Sequence, residues 1–425
     1  MTWIPRFAVL GLRCDDCGHE VGSDHLATIC PRCGGLLEYE YDLGQVDDLA
    51  GHAAARCGAG IWRWRPLLPL PAGAGEVSLG EGDSPLIEAG VLGRRLGLRG
   101  LRLKNDSMMP TGSFKDRGFA LAVSVAAAHG LTAGFTYSSG NAGASFAAYA
   151  ARAGLHATVF VEAAANETKV AAISLYGAAV YRLHYDSSAE IFAAVDTLAR
   201  RGAYSFVNFV NPVRHEAMKT YAYEICEQLG WRAPDVMVHP VGTGGGLVGA
   251  WKGFGELRAL GLIDRLPRMI GVQPAACAPL ADAFEHNRAE TGTAGDATRT
   301  VAQSIAGDSM IHGGRRVLRA LRESGGAAIA VSEDEIINAV RDLGAAGVAS
   351  EPSAAASVAA LAAARDRGLI GTDDTVIAVI TGTALKQPGA VRRIAPAPRG
   401  NVRADADEWL RLLDGRVTAS VESHQ

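Results

Sequence analysis

Neither sign of charge dominates this chain: 41 lysines and arginines stand against 45 aspartates and glutamates, a formal net charge of −4. Without a basic excess there is no field to draw the chain to nucleic acid or to an anionic membrane. Long apolar runs are missing as well. The opening MTWIPRFAVLGLRC has no such run behind a basic segment, so it does not read as a secretory signal. No stretch approaches the roughly 20 apolar residues of a membrane span, and runs such as AAIAV and TVIAVI have strand length. A cytoplasmic location is expected. No internal repeat is evident. At 425 residues, with 48% hydrophobic and 20% charged side chains, the chain can build two or three domains around a large core.

Cysteine is sparse except at one place. Of the seven, Cys14, Cys17, Cys30 and Cys33 fall in RCDDCGHEVGSDHLATICPRCGG with the spacing C-x2-C-x12-C-x2-C. Each pair sits on a tight turn followed by Gly18 or Gly34, a knuckle that aims two thiolates at one tetrahedral metal. Four thiolates suit Zn²⁺, and a closed four-sulfur site has no position for water, so it would stabilise rather than catalyse. His19 reads as a bystander. Nucleic-acid-binding ribbons carry basic and aromatic residues, whereas this one has Asp15, Asp16, Glu20 and Asp24. Cys57, Cys226 and Cys277 are scattered and read as small buried side chains.

Beyond the ribbon, IWRWRPLLPLP suggests an extended segment pinned to a surface. From about residue 100 the pattern becomes one of short β-rich runs alternating with Ala-rich helical stretches. Strands are expected at 134–139, 156–161, 178–183, 235–242, 269–274 and 375–382. Helices are expected at 141–153, 167–176, 188–201, 213–229, 247–261, 334–346 and 353–368. Many of the strands are continuously apolar, as in sheets covered on both faces, and the alternation predicts an α/β fold with mostly parallel sheets. Residues 286–309 read as a mobile loop, and DEWLRLL in the Arg/Pro/Ala-rich tail as a short helix.

Ligands in such sheets sit at the carboxyl ends of strands. Three of these junctions carry chemistry. In YSSGNAGAS, Ser138, Ser139, Gly140 and Asn141 open a helix; its free N–H groups suit an anion, although a plain Asn cap would look the same. In PVGTGGGLVG, four glycines (Gly242, Gly244, Gly245, Gly246) and Thr243 let main chain wrap one phosphate. The segment matches neither the nucleoside-triphosphate loop nor the dinucleotide fingerprint. The third, AVITGTALK, ends a strand at Thr381 with hydroxyls that can meet a heteroatom of a bound ring. Lys115, in TGSFKDRG, supplies an amine. A lysine beside a phosphate cradle is what an aldehyde cofactor requires, and the set favours pyridoxal phosphate, with SSGN receiving a substrate carboxylate.

With these motifs on the page, nearly the whole chain resembles the zinc-ribbon type of threonine synthase, within the fold type II pyridoxal-phosphate enzymes related to the tryptophan synthase β chain. The four-cysteine ribbon, WRWRPLLPL, VSLGEGDSPLIEA, PTGSFKDRG, SSGNAGAS, NPVRHEAMKT, GTGGG and TGTALK occur in that family's order. The resemblance implies a zinc ribbon at 1–45, a large cofactor domain at 46–106 and 202–400, a small mobile domain at 107–201 and a tail at 401–425. It also implies a homodimer acting on a small amino-acid substrate. Lys115 would then join the cofactor aldehyde, Asn141 would meet its 3-oxygen, Gly242 to Gly246 its phosphate and Thr381 its pyridine nitrogen. The implied reaction converts O-phospho-L-homoserine and water to L-threonine and phosphate, with Lys115 as the base.

Several positions depart from the family pattern. Met109 replaces the Asn usual before PTGSFKDR. Of four positions that grip the substrate phosphate in the family, this chain has Ala142, Phe209, Arg214 and Gly246, and only the arginine matches. Each missing polar ligand would cost about 1–3 kcal/mol if the phosphate were still buried there. A β-replacement or β-elimination on another amino acid, like that of cysteate synthase or the serine and threonine dehydratases, is therefore the alternative. Asp116 and Arg117 are expected to cap and pair within the first helical turn. Glu351 would approach the cofactor ring or cap a helix, and Lys386 would add an anion contact.

Overall fold

The structure, a computed structural model, describes residues 8–22, 26–163, 165, 167–184, 188–207 and 210–413. Three sheets organise them. At the N-terminus, β1 (Val9–Cys14) lies between β2 (Glu20–Gly22) and β3 (Leu37–Tyr41), paired antiparallel to both. The central sheet uses β4 (Leu86–Glu88), β5 (Gly100–Asn105), β9 (Val236–Pro240), β10 (Arg268–Pro274), β11 (Ala327–Val331) and β12 (Thr375–Ile380). Its order is β11-β10-β9-β12-β5-β4, parallel throughout except for the antiparallel edge strand β4. A third sheet, β6 (Ala133–Tyr137), β7 (His156–Glu162) and β8 (Ala179–Leu183), is fully parallel. The continuously apolar runs become strands buried along their length: β9 has no exposed residue, and β12 is buried from Val376 to Ile380. This is the expected α/β architecture of mostly parallel sheets behind a four-cysteine ribbon.

Helix Lys115–Ala128 was foreseen only as a first turn at Asp116 and Arg117, not over its length. It is buried at every position from Asp116 to Ala126, so it lacks the one-sided periodicity that marks a surface helix. IWRWRPLLPLP is not extended either. Residues Gly60–Leu67 form a 3₁₀ turn, with Trp62 and Trp64 fully buried and the Trp62 indole donating to Glu81 Oε1 at 2.8 Å. Two expected helices are each divided, into Pro212–Met218 and Thr220–Gln228, and into Pro352–Ala359 and Leu361–Asp366. The loop at 286–309 is tied to its surroundings. It carries 3₁₀ turns at Ala297–Arg299 and Gln303–Ile305, and Ser304 N–H donates to Ser353 Oγ at 2.8 Å. Cys226 and Cys277 are buried as expected, but Cys57 is exposed.

The ribbon docks through a shared apolar cluster, in which Leu12, Leu37 and Tyr39 join Ile61 and Trp62, and through charge. Tyr41 donates to Glu216 Oε2 at 2.7 Å, and Lys252 reaches Glu216 Oε1 at 2.8 Å. Asp15, inside the first cysteine knuckle, pairs with Arg316, and Asp16 pairs with Arg315 at 2.8 Å. The acidic residues that spoke against nucleic acid in the sequence thus include two that serve as docking groups.

Candidate active site

The site grows from the ends of β12, β9 and β6 and from the turn ahead of helix Lys115–Ala128. That turn is braced from within. Asp116 accepts from Thr111 N–H at 2.7 Å, from Thr111 Oγ1 at 2.6 Å and from Ser145 Oγ at 2.5 Å, the last on helix Asn141–Ala153. Gly112, at φ +79°, lies against Thr383, leaving no room for a side chain. Arg117 is fully buried and donates to Asp106 Oδ2 at 2.8 Å and to Glu224 Oε1 at 2.5 Å; Lys104 donates to Glu224 Oε2 at 2.7 Å. Asp116 and Arg117 therefore do not pair with each other in one helical turn, because their partners come from other elements. Together they fix the backbone that carries Lys115.

Lys115 is half-buried, with Nζ 4.2 Å from the centroid of the Phe114 ring. Burial, aided by the Arg214 charge and opposed by Glu351, pulls its amine from 10.5 down to about 7. The Thr381 end of β12 lies alongside: Phe114 N–H donates to the Thr381 carbonyl at 2.9 Å, and the Thr381 side chain is buried. From the same segment, Thr383 N–H donates to Gly112 O and Glu351 N–H to Gly382 O, each at 3.0 Å. One short strap thus ties the lysine turn to the turn that carries Glu351.

Asn141 is the first residue of its helix rather than its cap, which is Gly140. Its Nδ2 donates to Glu351 Oε1 at 2.7 Å, and Ser304 Oγ donates to Glu351 Oε2 at 3.2 Å. Ser138, Ser139 and Gly140 precede it half-buried, with Gly140 N–H on Ser138 Oγ at 3.2 Å. Sequence reasoning missed Ser304, which sits in an irregular loop with no motif. It also left Glu351 between two roles, and the structure turns its carboxylate toward Asn141.

The glycine turn opens helix Gly245–Ala259, with Gly244 as cap at φ +89°. A methyl there would run into Val317, so both conformation and space require glycine. The helix has no side-chain cap and no acid in its first turn. Its leading N–H groups are orphans available to a phosphate. A side chain at Gly246 would meet His239, a residue of β9 whose Nδ1 lies 2.7 Å from Pro240 O and whose ring is T-shaped against Phe114 at 5.7 Å. Burial lowers the His239 pKa to about 4, so it stays neutral.

Arg214, on helix Pro212–Met218, is 4% exposed. It donates to Phe206 O at 2.9 Å and lies 3.9 Å over the Phe119 ring, and among the described residues it ion-pairs with no carboxylate. Burial pulls its pKa from 12.5 to about 9. Ala142 is buried and apolar, and Phe209 lies outside the described residues. Lys386 stands near Gly112, its amine lowered by burial and supported by Asp116 and Glu351.

The four ribbon cysteines lie apart from this cluster. Their sulfurs all fall within 4.8 Å of one another, with Cys14–Cys33 at 3.5 Å and Cys17–Cys30 at 3.7 Å. Sulfurs bound at about 2.3 Å around a tetrahedral ion would be about 3.8 Å apart, so the set has the size of a zinc site.

Parallel sheets, a left-handed glycine turn at an uncapped helix, and a lysine of lowered pKa near Asn141, Thr381 and the buried Arg214 are the features of a pyridoxal-phosphate-dependent enzyme. Residues 77–382 match the family model described as pyridoxal-phosphate dependent enzyme. The chain is 36% identical over 406 residues to the threonine synthase of Methanocaldococcus jannaschii, covering 94% of this chain and 98% of that protein. It is 38% identical over 341 residues to the threonine synthase of Mycobacterium tuberculosis, covering 79% of this chain and 91% of the other. Among solved structures it resembles maize serine racemase, with a TM-score of 0.61, 18% identity, and 73% and 91% coverage. It also resembles Escherichia coli diaminopropionate ammonia lyase, with a TM-score of 0.63, 16% identity, and 75% and 88% coverage. Those two likenesses establish the fold. The chain belongs to the pyridoxal-phosphate-dependent enzymes, and within them to the threonine synthase family, as a lyase.

Proposed function

We propose that this enzyme converts O-phospho-L-homoserine and water to L-threonine and phosphate. The observation that carries the reading is Arg214: a buried guanidinium without a carboxylate partner among the described residues, close enough to Lys115 to depress its pKa. A cation kept buried at such cost is a receptor for an anion that arrives with the substrate. The relatives named threonine synthase support the same product.

The residues fit pyridoxal phosphate. The orphan N–H groups at Gly244 to Gly246 would hold its phosphate, Asn141 its 3-oxygen, and the Thr381 hydroxyl its ring nitrogen without adding charge. Lys115 would hold its aldehyde. When bound, the cofactor supplies an electron sink for charge developing on the substrate's carbon skeleton. Nζ of Lys115, with a pKa of about 7, is suited both to take the α-proton and to return protons at neighbouring carbons. The SSGN turn would receive the substrate carboxylate, and Arg214 would orient the phosphate that leaves from Cγ while water enters at Cβ. The β6–β8 unit, at residues 107–201, would close over the substrate. Zn²⁺ on Cys14, Cys17, Cys30 and Cys33 would be structural, since four sulfurs leave no open coordination position; one metal per chain by elemental analysis, lost on Cys30→Ser, tests this.

Two observations favour a second reading, elimination or replacement on an amino acid without a γ-phosphate. Ala142 is buried and apolar, and His239 and Phe114 occupy the space a longer side chain at position 246 would need. The deciding experiment incubates the holoenzyme with O-phospho-L-homoserine, O-phospho-L-serine, L-serine or L-threonine, following phosphate, threonine and 2-oxo acid. Threonine and phosphate in equal amounts from the first substrate support the proposal. Turnover of another substrate without threonine formation would replace it with the second reading.

A further inference from the structure

A cavity of about 480 Å³ lies between the segments 298–303, 337–341 and 387–394. Its rim carries Arg299, Arg341 and Arg393, all exposed, and its floor is formed in part by Ile337 and Ile394. No acidic side chain lines it. Among the described residues none of the three arginines ion-pairs with a carboxylate. Arg341 instead donates to Ile394 O at 3.3 Å and to Asn338 Oδ1 at 3.4 Å. Asp296 accepts from Thr298 N–H at 2.9 Å and is also favoured in its ionised form by the Arg299 charge, while Glu333 Oε2 accepts from Val301 N–H at 2.7 Å. Gln387 also lines the cavity. Its Nε2 donates to Val301 O at 3.0 Å. Three guanidiniums around one concavity, none in an ion pair among the described residues, suit an anion.

Two walls of the cavity continue directly into the active site. Gln303 precedes Ser304, which donates to Glu351 and so acts on Asn141. Gln387 follows Lys386, which lies against Gly112 of the lysine turn. We propose that this cavity is an effector site for a small phosphate- or carboxylate-bearing molecule, and that its occupancy is transmitted through Ser304 and Lys386 to the catalytic residues. An anion drawing Arg299 and Arg393 toward Arg341 would pull on both walls at once.

The test uses calorimetric titration of the holoenzyme with two probes, glycerol 3-phosphate and citrate, which separate the phosphate from the carboxylate source. At least one should bind once per chain, with equal affinity in Arg214→Leu, which removes the proposed substrate anion contact. Arg341→Ala and Arg393→Ala should each weaken that binding by roughly tenfold or more, as expected for loss of a charge-assisted contact. Both side chains are exposed, so folding is not at stake. Saturation should also change the fluorescence of the bound cofactor. No binding by either probe, binding indifferent to the two rim arginines, or binding lost in Arg214→Leu would overturn the site. Unchanged cofactor fluorescence at saturation would overturn the coupling. Neither readout depends on which substrate the enzyme turns over.

Discussion

Replacing Arg214 by leucine separates a substrate-binding role from a structural one. The buried guanidinium has its pKa lowered from 12.5 to about 9. At 1.36 kcal/mol per pKa unit, keeping it charged costs the fold about 5 kcal/mol. Against this stand one neutral-acceptor hydrogen bond to Phe206 O, worth about 1 kcal/mol, and a cation–π contact with Phe119 at 3.9 Å, worth about 2 kcal/mol when desolvated. Phe206 O also accepts from Thr136 Oγ1 at 3.2 Å, so the substitution does not strand it. The leucine variant without cofactor or substrate should therefore unfold within about 2 kcal/mol of the parent, or be more stable, once the smaller side chain's cavity is allowed for. Two charge-assisted bonds to a substrate phosphate are worth about 3–6 kcal/mol. The variant should thus lose roughly two to four orders of magnitude in kcat/KM for O-phospho-L-homoserine. Urea unfolding and continuous phosphate-release assays measure the two quantities. Unchanged kcat/KM together with a stability loss beyond about 3 kcal/mol would refute the assignment, because removing a paired structural ion has that signature.

Three further substitutions probe the frame. Lys115 binds its proton more weakly in the folded chain (about 7) than in the unfolded one (10.5); unfolding then takes up a proton between those values, and stability rises with pH across that window. Lys115→Met should flatten this rise in cofactor-free enzyme, and an identical slope from pH 7 to 10 in urea melts would show that the amine is not desolvated. Gly244→Ala forces a β-carbon into a left-handed turn against Val317, costing about 1–3 kcal/mol and weakening cofactor affinity; equal affinity by fluorescence titration would contradict the cradle. Glu224→Gln leaves Lys104 and Arg117 with Asp106 as their only remaining acid in the buried cluster and should cost about 3–5 kcal/mol in denaturant unfolding, a loss under about 1 kcal/mol counting against it.

The parallel strands were legible because burial on both faces leaves a continuous apolar run, as in TVIAVI, followed by a glycine where the chain turns into its ligand loop. The ribbon was legible because four thiolates must converge and the spacing shows it. Only the first turn of helix Lys115–Ala128 was, since a helix buried on every side has no polar face to reveal its period. Gly60–Leu67 misled through its proline, which is compatible with a 3₁₀ turn as well as with extended chain. Asp116 and Arg117 were assigned partners close in sequence, whereas Arg117 pairs with Glu224, more than a hundred residues away. Ser304 and His239 carried no local signal at all; only the fold brings them beside Glu351 and Gly246.

The Asn141–Glu351 contact holds a carboxylate within the candidate site. An asparagine amide carries two N–H donors and a freely turning side chain. Glu351, held in place by Ser304 and by its own N–H on Gly382, takes one donor at 2.7 Å. That bond fixes which atom of Asn141 faces the site and leaves its second N–H for a ligand oxygen. Burial pushes the Glu351 carboxyl upward, while hydrogen bonds from Asn141 and Ser304 and the charges of Lys169 and Lys386 favour its ionised form. The Arg214 charge lowers the Lys115 pKa while Glu351 raises it. The carboxylate thus orients the Asn141 amide while favouring the protonated Lys115 amine.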